Sequence, residues 1–271
     1  MFIEAYTGQY YNKNEGTFGQ EPLNLAFTAI RALVPNLITR NPKNIVGSDY
    51  LIYRQYGELL ALALDYMSKK LKLPVILQRG LVDAIFTIGI FKVGLMTSNS
   101  LIYFGEEAVD PGQLYVDTVD FDDFTFDPTA RQLNEASLLG EKIRAERDEL
   151  MESGLYNNAV IEKLPSSATV LLGQQKSVRD LSLSRLTYQA ISKLHDYVDL
   201  MELWLPDPNV IVTLPYKSSG NGKFLREETF DGPDDGPYEF LTLTPPVPDN
   251  PIPVSMAGVW HDLHMIGNRI A

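Results

Sequence analysis

The spacing of apolar residues changes near Ser100, and this change limits the folds open to the chain. Before Ser100, apolar residues recur at helical spacing over 48–71 and 75–95. After it, short runs at strand spacing alternate with turn residues and with further helical patterns. Helices and strands therefore do not alternate regularly, as a doubly wound parallel sheet would require. The sequence predicts an α+β fold in which long helices pack with short, mainly antiparallel strands.

A long helix is predicted between Ser48 and Leu71. Ser48 or Asp49 is a good N-cap, and Pro74 lies just beyond the end of the helix. The apolar residues that recur at helical spacing are Leu51, Leu59, Leu60, Leu62, Ala63, Tyr66 and Met67.

Three further helices are predicted after Pro74. The segment 75–95 is apolar on nearly every side, which indicates a position deep in the core. Its most apolar part, 81–96, is shorter than the roughly twenty residues of a membrane span. The other two predicted helices are 130–151, which has a heavily charged face, and 182–195.

Strands are predicted where apolar runs are bounded by turn residues. Leu101–Phe104 and Leu114–Val116 are expected to pair across the turn sequence Asp110–Gly112. The runs 201–205 and 210–214 are expected to form a hairpin around a Pro-Asp-Pro-Asn turn. The remaining predicted strands are 223–227 and 238–243.

The patterns divide the chain into four parts. An extended N-terminal arm, 1–20, precedes a mainly helical part, 21–155, which has strands at about 100–127. A helix with a strand-rich part, 156–253, comes next, and the start of an incomplete helix occupies 254–271.

Ser255 is the expected N-cap of this last helix. An apolar stripe then continues at helical spacing to Ile270, and neither Gly nor Asn follows as a C-cap. We therefore expect the helix to continue beyond Ala271.

The composition argues against several kinds of site. The chain has no cysteine, which excludes disulfides, thiolate metal sites and cysteine nucleophiles. Its formal net charge is −12, so tight wrapping of DNA around a basic face is not expected. Neither a Gly-x-Ser-x-Gly nor a Gly-x-Gly-x-x-Gly motif is present. We expect a protein that is not an enzyme and that has no cofactor.

An acidic segment is the strongest candidate for a catalytic site. Its aspartates are Asp117, Asp120, Asp122, Asp123 and Asp127. A metal-dependent nuclease needs several carboxylates that converge on divalent cations. In this segment the carboxylates alternate with apolar residues, as in a half-buried strand with a solvated acidic face. We expect a structural strand, and a metal site is the alternative.

Two other motifs have a simpler explanation than a binding site. His261 and His264 are three residues apart on a predicted helix, but zinc would need two more ligands, and His195 is the only other histidine. Ser218–Lys223 is similar to a phosphate-binding loop, but Lys217 stands where the Walker pattern requires glycine. We expect a structural or interface histidine pair and a flexible hairpin tip.

Several segments resemble tailed-bacteriophage portal proteins, which are head–tail connectors. In the C-terminal half they are Tyr197–Pro206, Val210–Leu214, Gly236–Tyr238, Val247–Pro248, Pro251–Pro253, Asp262–His264 and Asn268. In the N-terminal half they are Asn36–Val46 and Asp120–Arg131. These segments span most of the chain, and none of them is a catalytic signature.

The resemblance implies a portal-like wing domain that ends at the start of a stem helix. Such a protein is a structural subunit of the portal ring at a capsid vertex, and it forms the channel for DNA packaging and ejection. The implied partners are the protein itself in a dodecameric ring, the terminase large subunit, adaptor or head-completion proteins, the major capsid protein, and double-stranded DNA that passes without sequence-specific binding. The implied location is the virion, after synthesis in the host cytoplasm, with no membrane partner.

Two alternatives remain open. The alternatives to a portal subunit are another virion adaptor or interaction protein and a metal-dependent nuclease that uses the acidic strand Asp117–Asp127. An adaptor would have the same composition but would bind a portal. A nuclease would lose cation-dependent DNA cleavage when Asp122 and Asp123 become Asn.

Overall fold

The computed structural model describes residues 25–38, 43–98, 101–104, 107–167, 196–216, 224–245, 247 and 249–260. The helices are α1 (Leu25–Leu37), α2 (Arg54–Lys70), α3 (Leu73–Phe86), α4 (Arg147–Glu152) and α5 (Asn158–Ile161), with 3₁₀ helices at Leu51–Tyr53 and Leu133–Glu135. The strands are β1 (Gly89–Met96), β2 (Ile102–Phe104), β3 (Glu107–Val109), β4 (Gln113–Val119), β5 (Phe124–Phe126), β6 (Leu139–Glu146), β7 (Tyr197–Leu205), β8 (Val210–Pro215), β9 (Arg226–Thr229) and β10 (Tyr238–Leu241). The strand pairs are antiparallel, and the predicted α+β class is confirmed.

The chain forms two compact units. Unit one comprises residues 1–121 and 238–271, and unit two comprises residues 122–237. The sequence assigned β6 and β7 to different parts of the chain, but the two strands are neighbours in one sheet. The four-part division stays a prediction.

Unit one contains a three-stranded sheet in the order β10-β1-β4 with α3 packed against it. Ile85 of α3 and Ile90 of β1 are both completely buried. A Cβ on Gly80 of α3 would lie 2.2 Å from Cζ of Phe91, so glycine is needed for this close approach. The helix and the sheet share one apolar core.

The predicted helix over 75–95 is wrong in its second half. The helix ends at Phe86, and β1 begins at Gly89. β1 pairs with β4 on one side and β10 on the other. The first residues of β1, Gly89–Phe91, are buried, and a short apolar run of this kind cannot be told from a buried helix by its periodicity.

The strand pairing around residue 110 also differs from the prediction. β2 pairs with β3, and β4 pairs with β1 instead of with the segment 101–104. Asp110–Gly112 connects β3 to β4, and Gly112 has a φ of 71°. The two strands that the segment connects do not pair with each other, so the predicted hairpin is wrong.

The last described segment of unit one begins a helix over 256–260. The Gly258 backbone N–H donates to Ser255 Oγ at 2.8 Å, which confirms the predicted N-cap. Ala257 and Trp260 pack against the cluster of Ile30, Ile85 and Phe86. Residues 1–24, 168–195 and 261–271 lie outside the described residues, as do the predicted arm, the helix over 182–195 and the remainder of the last helix.

Unit two is built on a five-stranded antiparallel sheet in the order β5-β6-β7-β8-β9. The predicted hairpin of 201–205 and 210–214 is confirmed as β7 and β8, with Asn209 at a φ of 63° in the turn. The predicted helix over 130–151 is wrong, because 139–146 form β6 and only 147–152 are helical. In the described parts of the chain, no helix is long and apolar enough to cross a membrane.

Candidate assembly surface

In the described part of the chain, the extended segment 43–46 packs against the side of α2 that carries Gly57 and Ser68. The Asn44 backbone N–H and Nδ2 both donate to Asp65 Oδ1, at 2.9 and 3.0 Å. The Asn44 backbone N–H contributes most to lowering the pKa of Asp65, followed by the Asn44 side chain. A Cβ on Gly57 would lie 3.1 Å from the Val46 carbonyl oxygen, so the glycine admits the extended segment 43–46 against the helix.

The opposite side of α2 and the turn before it expose apolar side chains. Leu51 is 86% exposed and Tyr56 is 67% exposed. We call this set the α2 apolar surface; its members are Tyr50, Leu51, Ile52, Tyr53, Tyr56, Leu59, Leu60, Leu62 and Tyr66. The helical periodicity places positions 56, 59, 60, 62 and 66 on one side, away from Gly57 and Ser68. The covered side of the helix carries Gly57, Ala61, Leu64 and Ser68, and the large apolar side chains lie on the exposed side.

Four of the nine residues of the α2 apolar surface are tyrosines. The Tyr50 and Tyr53 rings meet edge to face with centroids 6.2 Å apart, and the Tyr53 and Tyr56 rings are 6.4 Å apart. Tyrosine supplies a large contact area with few rotatable bonds and is enriched at protein interfaces. A contiguous exposed apolar patch on a folded unit marks an interaction site.

An open groove of about 390 Å³ adjoins the start of this surface. It is lined by Val46, Gly47, Ser48, Asp49, Leu51, Arg54 and Glu58. Ser48 was a predicted N-cap, but its Oγ accepts from the Tyr50 N–H at 3.2 Å in a turn before the helix. The predicted helix is present as α2, and its apolar stripe faces outward.

The acidic segment has a structural explanation at its C-terminal end. Asp127 accepts hydrogen bonds from the Thr129 N–H at 2.8 Å, from Thr129 Oγ1 at 2.7 Å and from Ser137 Oγ at 2.5 Å. The Ser137 bond, then the Thr129 bonds, lower the pKa of Asp127 to about 2. The carboxylate holds the connection between β5 and β6.

The other acidic residues lie around the turn between β4 and β5. Asp117 is on β4, where its Oδ1 accepts from the Thr118 N–H at 2.8 Å. Asp122 and Asp123 lie in the turn. Burial, and secondarily the charge of Asp120, raises the pKa of Asp83 on α3 to about 6. Among the described residues, no group of three or more Asp, Glu or His side chains is arranged to hold a metal ion.

An ion cluster centred on the buried carboxylate of Asp199 links β6 to β7 in unit two. Asp199 on β7 is paired with Arg144 Nε at 2.8 Å and with Lys142 Nζ at 3.3 Å, and it accepts from Ser167 Oγ at 2.7 Å. Burial raises the pKa of Asp199, but the bonds from Arg144 and Ser167 outweigh it, so the pKa is lowered overall. Lys142 also lies over the Tyr216 ring at 4.7 Å. The cluster joins 164–167 to β6 and β7.

The remaining sequence candidates cannot be placed on this surface or in these clusters. His195, His261 and His264 lie outside the described residues, and so do Lys217 and the loop 218–223. The interpretations of the histidine pair and the hairpin tip stay predictions. The α2 apolar surface was missed because spacing predicts which residues share a side of a helix, but not which side is covered.

A comparison with protein-family models gives a match in the middle of the chain. Residues 105–206, which include the strands β3 to β7, match the family model of the phage SU10 portal protein. A search of curated proteins found no match. Two of the segments that carried the sequence resemblance, 120–131 and 197–206, lie within the matched residues. The resemblance to a tailed-phage portal protein is confirmed by this match, and the chain is similar to the phage SU10 portal family over residues 105–206.

Proposed function

We propose that this protein is a structural subunit of a phage portal ring at the capsid vertex and that its two units form a portal-like wing. The observation that carries the proposal is the family match over residues 105–206. The ring assembles from copies of the chain and forms the channel for DNA packaging and ejection. It has no catalytic residues and no cofactor, because its work is to hold and align other components.

The α2 apolar surface supports this function independently. An isolated subunit would leave nine large apolar side chains in water, whereas an assembly would cover them. A protein that functions only as a closed oligomer is expected to carry such a surface.

The net charge of −12 suits a conduit for DNA. A polyanion that slides through a ring is better served by a surface that does not retain it, because phosphate neutralisation by basic residues gives tight, salt-dependent binding. Double-stranded DNA passes without sequence-specific contact.

The further partners follow from the place of a portal in the virion. The terminase large subunit docks on the ring during packaging, and adaptor or head-completion proteins replace it afterwards. The major capsid protein surrounds the ring at the vertex. The subunit is made in the host cytoplasm and resides in the virion.

Electron microscopy and sedimentation velocity of the whole gene product test the proposal. We expect closed rings of a single symmetry with a central channel. Compact monomers at every concentration would contradict it. Monomers that bind stoichiometrically to a separately purified phage portal would instead favour the adaptor alternative.

A further inference from the structure

A second exposed apolar patch lies on unit one, at the β2–β3 hairpin. We call it the hairpin apolar surface; its members are Leu95, Met96, Leu101, Ile102, Tyr103 and Val109. Leu95 is 75% exposed and Tyr103 is 69% exposed. In the described part of the chain, β2 and β3 pair only with each other. A two-stranded sheet with exposed apolar side chains is marginally stable in water and gains from a cover.

The base of this hairpin is held firmly. The Ser98 N–H and Oγ both donate to the Asp110 carboxylate, and the Gly112 N–H donates to Asp110 Oδ1 at 2.9 Å. These bonds tie the end of β1 to the start of β4 beside the hairpin. The hairpin apolar surface is therefore presented from a fixed base.

A closed ring needs two unlike surfaces on each subunit. In a two-fold dimer the same patch meets itself, but in a ring each subunit offers one patch to its left neighbour and a different one to its right. The α2 apolar surface and the hairpin apolar surface are two such patches on the same unit.

The exposed area is sufficient for a specific contact. A tyrosine carries roughly 150–250 Å² of side-chain surface, so the four exposed tyrosines of the α2 apolar surface leave on the order of 500 Å² uncovered. Its five exposed aliphatic residues bring the area close to the ~800 Å² per partner of a standard interface.

Charge also favours these surfaces. Two copies that each carry a charge of −12 repel one another, so they associate best through patches that carry little charge. From Tyr50 to Tyr66 the charged residues are Arg54, Glu58 and Asp65, and Asp65 is on the other side with Asn44. A centre depleted of charge and rich in tyrosine is typical of an interface core.

We propose that the hairpin apolar surface of one subunit docks on the α2 apolar surface of the next. This inference rests on the proposed ring function. It assigns a residue-level contact to the ring, with Tyr103 of one copy packed against Leu62, Leu59 and Tyr56 of its neighbour.

Because the chain has no cysteine, introduced cysteines would be the only thiols available for cross-linking. Leu62→Cys and Tyr103→Cys are introduced singly and together in the whole gene product, which is treated with a short bismaleimide. We expect the double variant to give a ladder of covalent oligomers up to the ring size. An equal mixture of the two single variants should give covalent dimers only, and each single variant alone should give monomers.

A matched control uses Leu155→Cys, which is 58% exposed on unit two. Combined with Leu62→Cys, it should give no ladder. Efficient dimers from Leu62→Cys alone would overturn the proposal, because they would indicate self-pairing of the α2 apolar surface. If the two cysteines of the double variant were cross-linked only within one subunit, the proposal would also be overturned.

A second variant tests the energetic role of the surface. Leu62→Asp should raise the protein concentration for half-assembly by about tenfold or more, with an unchanged circular dichroism spectrum, since Leu62 is 67% exposed and contributes little to the core. Rings that form normally in Leu62→Asp would refute the docking site but leave the portal function intact. Absence of rings in the unmodified protein would instead refute the proposed function.

Discussion

At the scale of single residues, Asp127 shows how a carboxylate can organise a loop without doing chemistry. Its hydrogen bonds from Ser137 and Thr129 hold the carboxylate in its charged form and lower its pKa from 3.8 to about 2. A group whose pKa is lower in the folded state contributes stability above its unfolded pKa and loses it as the pH falls through the folded value. The contribution of Asp127 should therefore be complete at neutral pH and disappear between about pH 4 and pH 2.

The first prediction concerns this pH dependence. Asp127→Asn should lower the free energy of unfolding at pH 7, and the difference from the unmodified protein should shrink as the pH falls through about 2, because the folded-state carboxylate becomes protonated only below that value. Urea unfolding at several pH values measures it. The exposed Asp234 provides the control, since Asp234→Asn removes the same charge from a turn of the same unit. Equal pH profiles for the two variants would show that the hydrogen bonds of Asp127 do not stabilise the loop.

The second prediction concerns two glycines with positive φ. Gly236 has a φ of 88°, and a Cβ there would lie 2.4 Å from the Trp204 ring; Gly154 has a φ of 65° and nothing within 4 Å of a Cβ. Gly154→Ala should cost about 1–2 kcal/mol from backbone strain alone. Gly236→Ala should cost about 1–3 kcal/mol more, because the indole must move. Denaturant unfolding compares them, and equal losses would contradict the contact with Trp204.

At the scale of secondary structure, β6 shows what sequence patterns can and cannot determine. Lys142, Arg144 and Glu146 alternate with Ile143 and Ala145, which is a strand pattern. Because the segment is highly charged, it was interpreted as the exposed face of a helix. The strand conformation of β6 depends on a residue distant in sequence, because Lys142 and Arg144 both pair with Asp199 on β7. Local spacing therefore predicted the β7–β8 hairpin, with its short turn, but not β6.

The third prediction tests the ion cluster that holds β6 to β7. Asp199→Ala should destabilise the protein by about 2–3 kcal/mol, since it leaves Lys142 and Arg144 without their shared carboxylate. The expected loss is smaller than for a fully buried ion pair because Arg144 is partly exposed. Ser167→Ala should cost only about 1 kcal/mol, as it removes one hydrogen bond. Thermal or urea unfolding measures both. A loss for Asp199→Ala no larger than that for Ser167→Ala would mean that the ion pairs add nothing.

The candidate surface was predictable only in part. The apolar stripe of α2 was evident from Leu59, Leu62 and Tyr66, and the helix was expected where it occurs. Its exposure follows from Asn44 and Val46, which occupy the Gly57–Ser68 side and leave the apolar side open. Such a choice between two sides of a helix depends on tertiary contacts that no local pattern contains.

At the scale of the whole molecule, repulsion between negatively charged copies opposes assembly. The fourth prediction is that rings of the whole gene product form at lower protein concentration as salt rises from 50 to 500 mM, because the Debye length shortens from about 14 Å to about 4 Å. Sedimentation velocity across this range measures the effect. Weaker assembly at high salt would show that ion pairs, and not apolar contact, dominate the interface.

The register of β1 has a further consequence for the way this chain can be rearranged. Val119 of β4 and Phe240 of β10 both stand opposite Ile90, one on each side of it. The chain therefore leaves unit one and returns to it about two strand spacings apart, or ~10 Å. A linker of a few residues could bridge this gap, so residues 122–237 behave as a cassette. Recombination between related genes could exchange that cassette while the parent sheet kept its pairing.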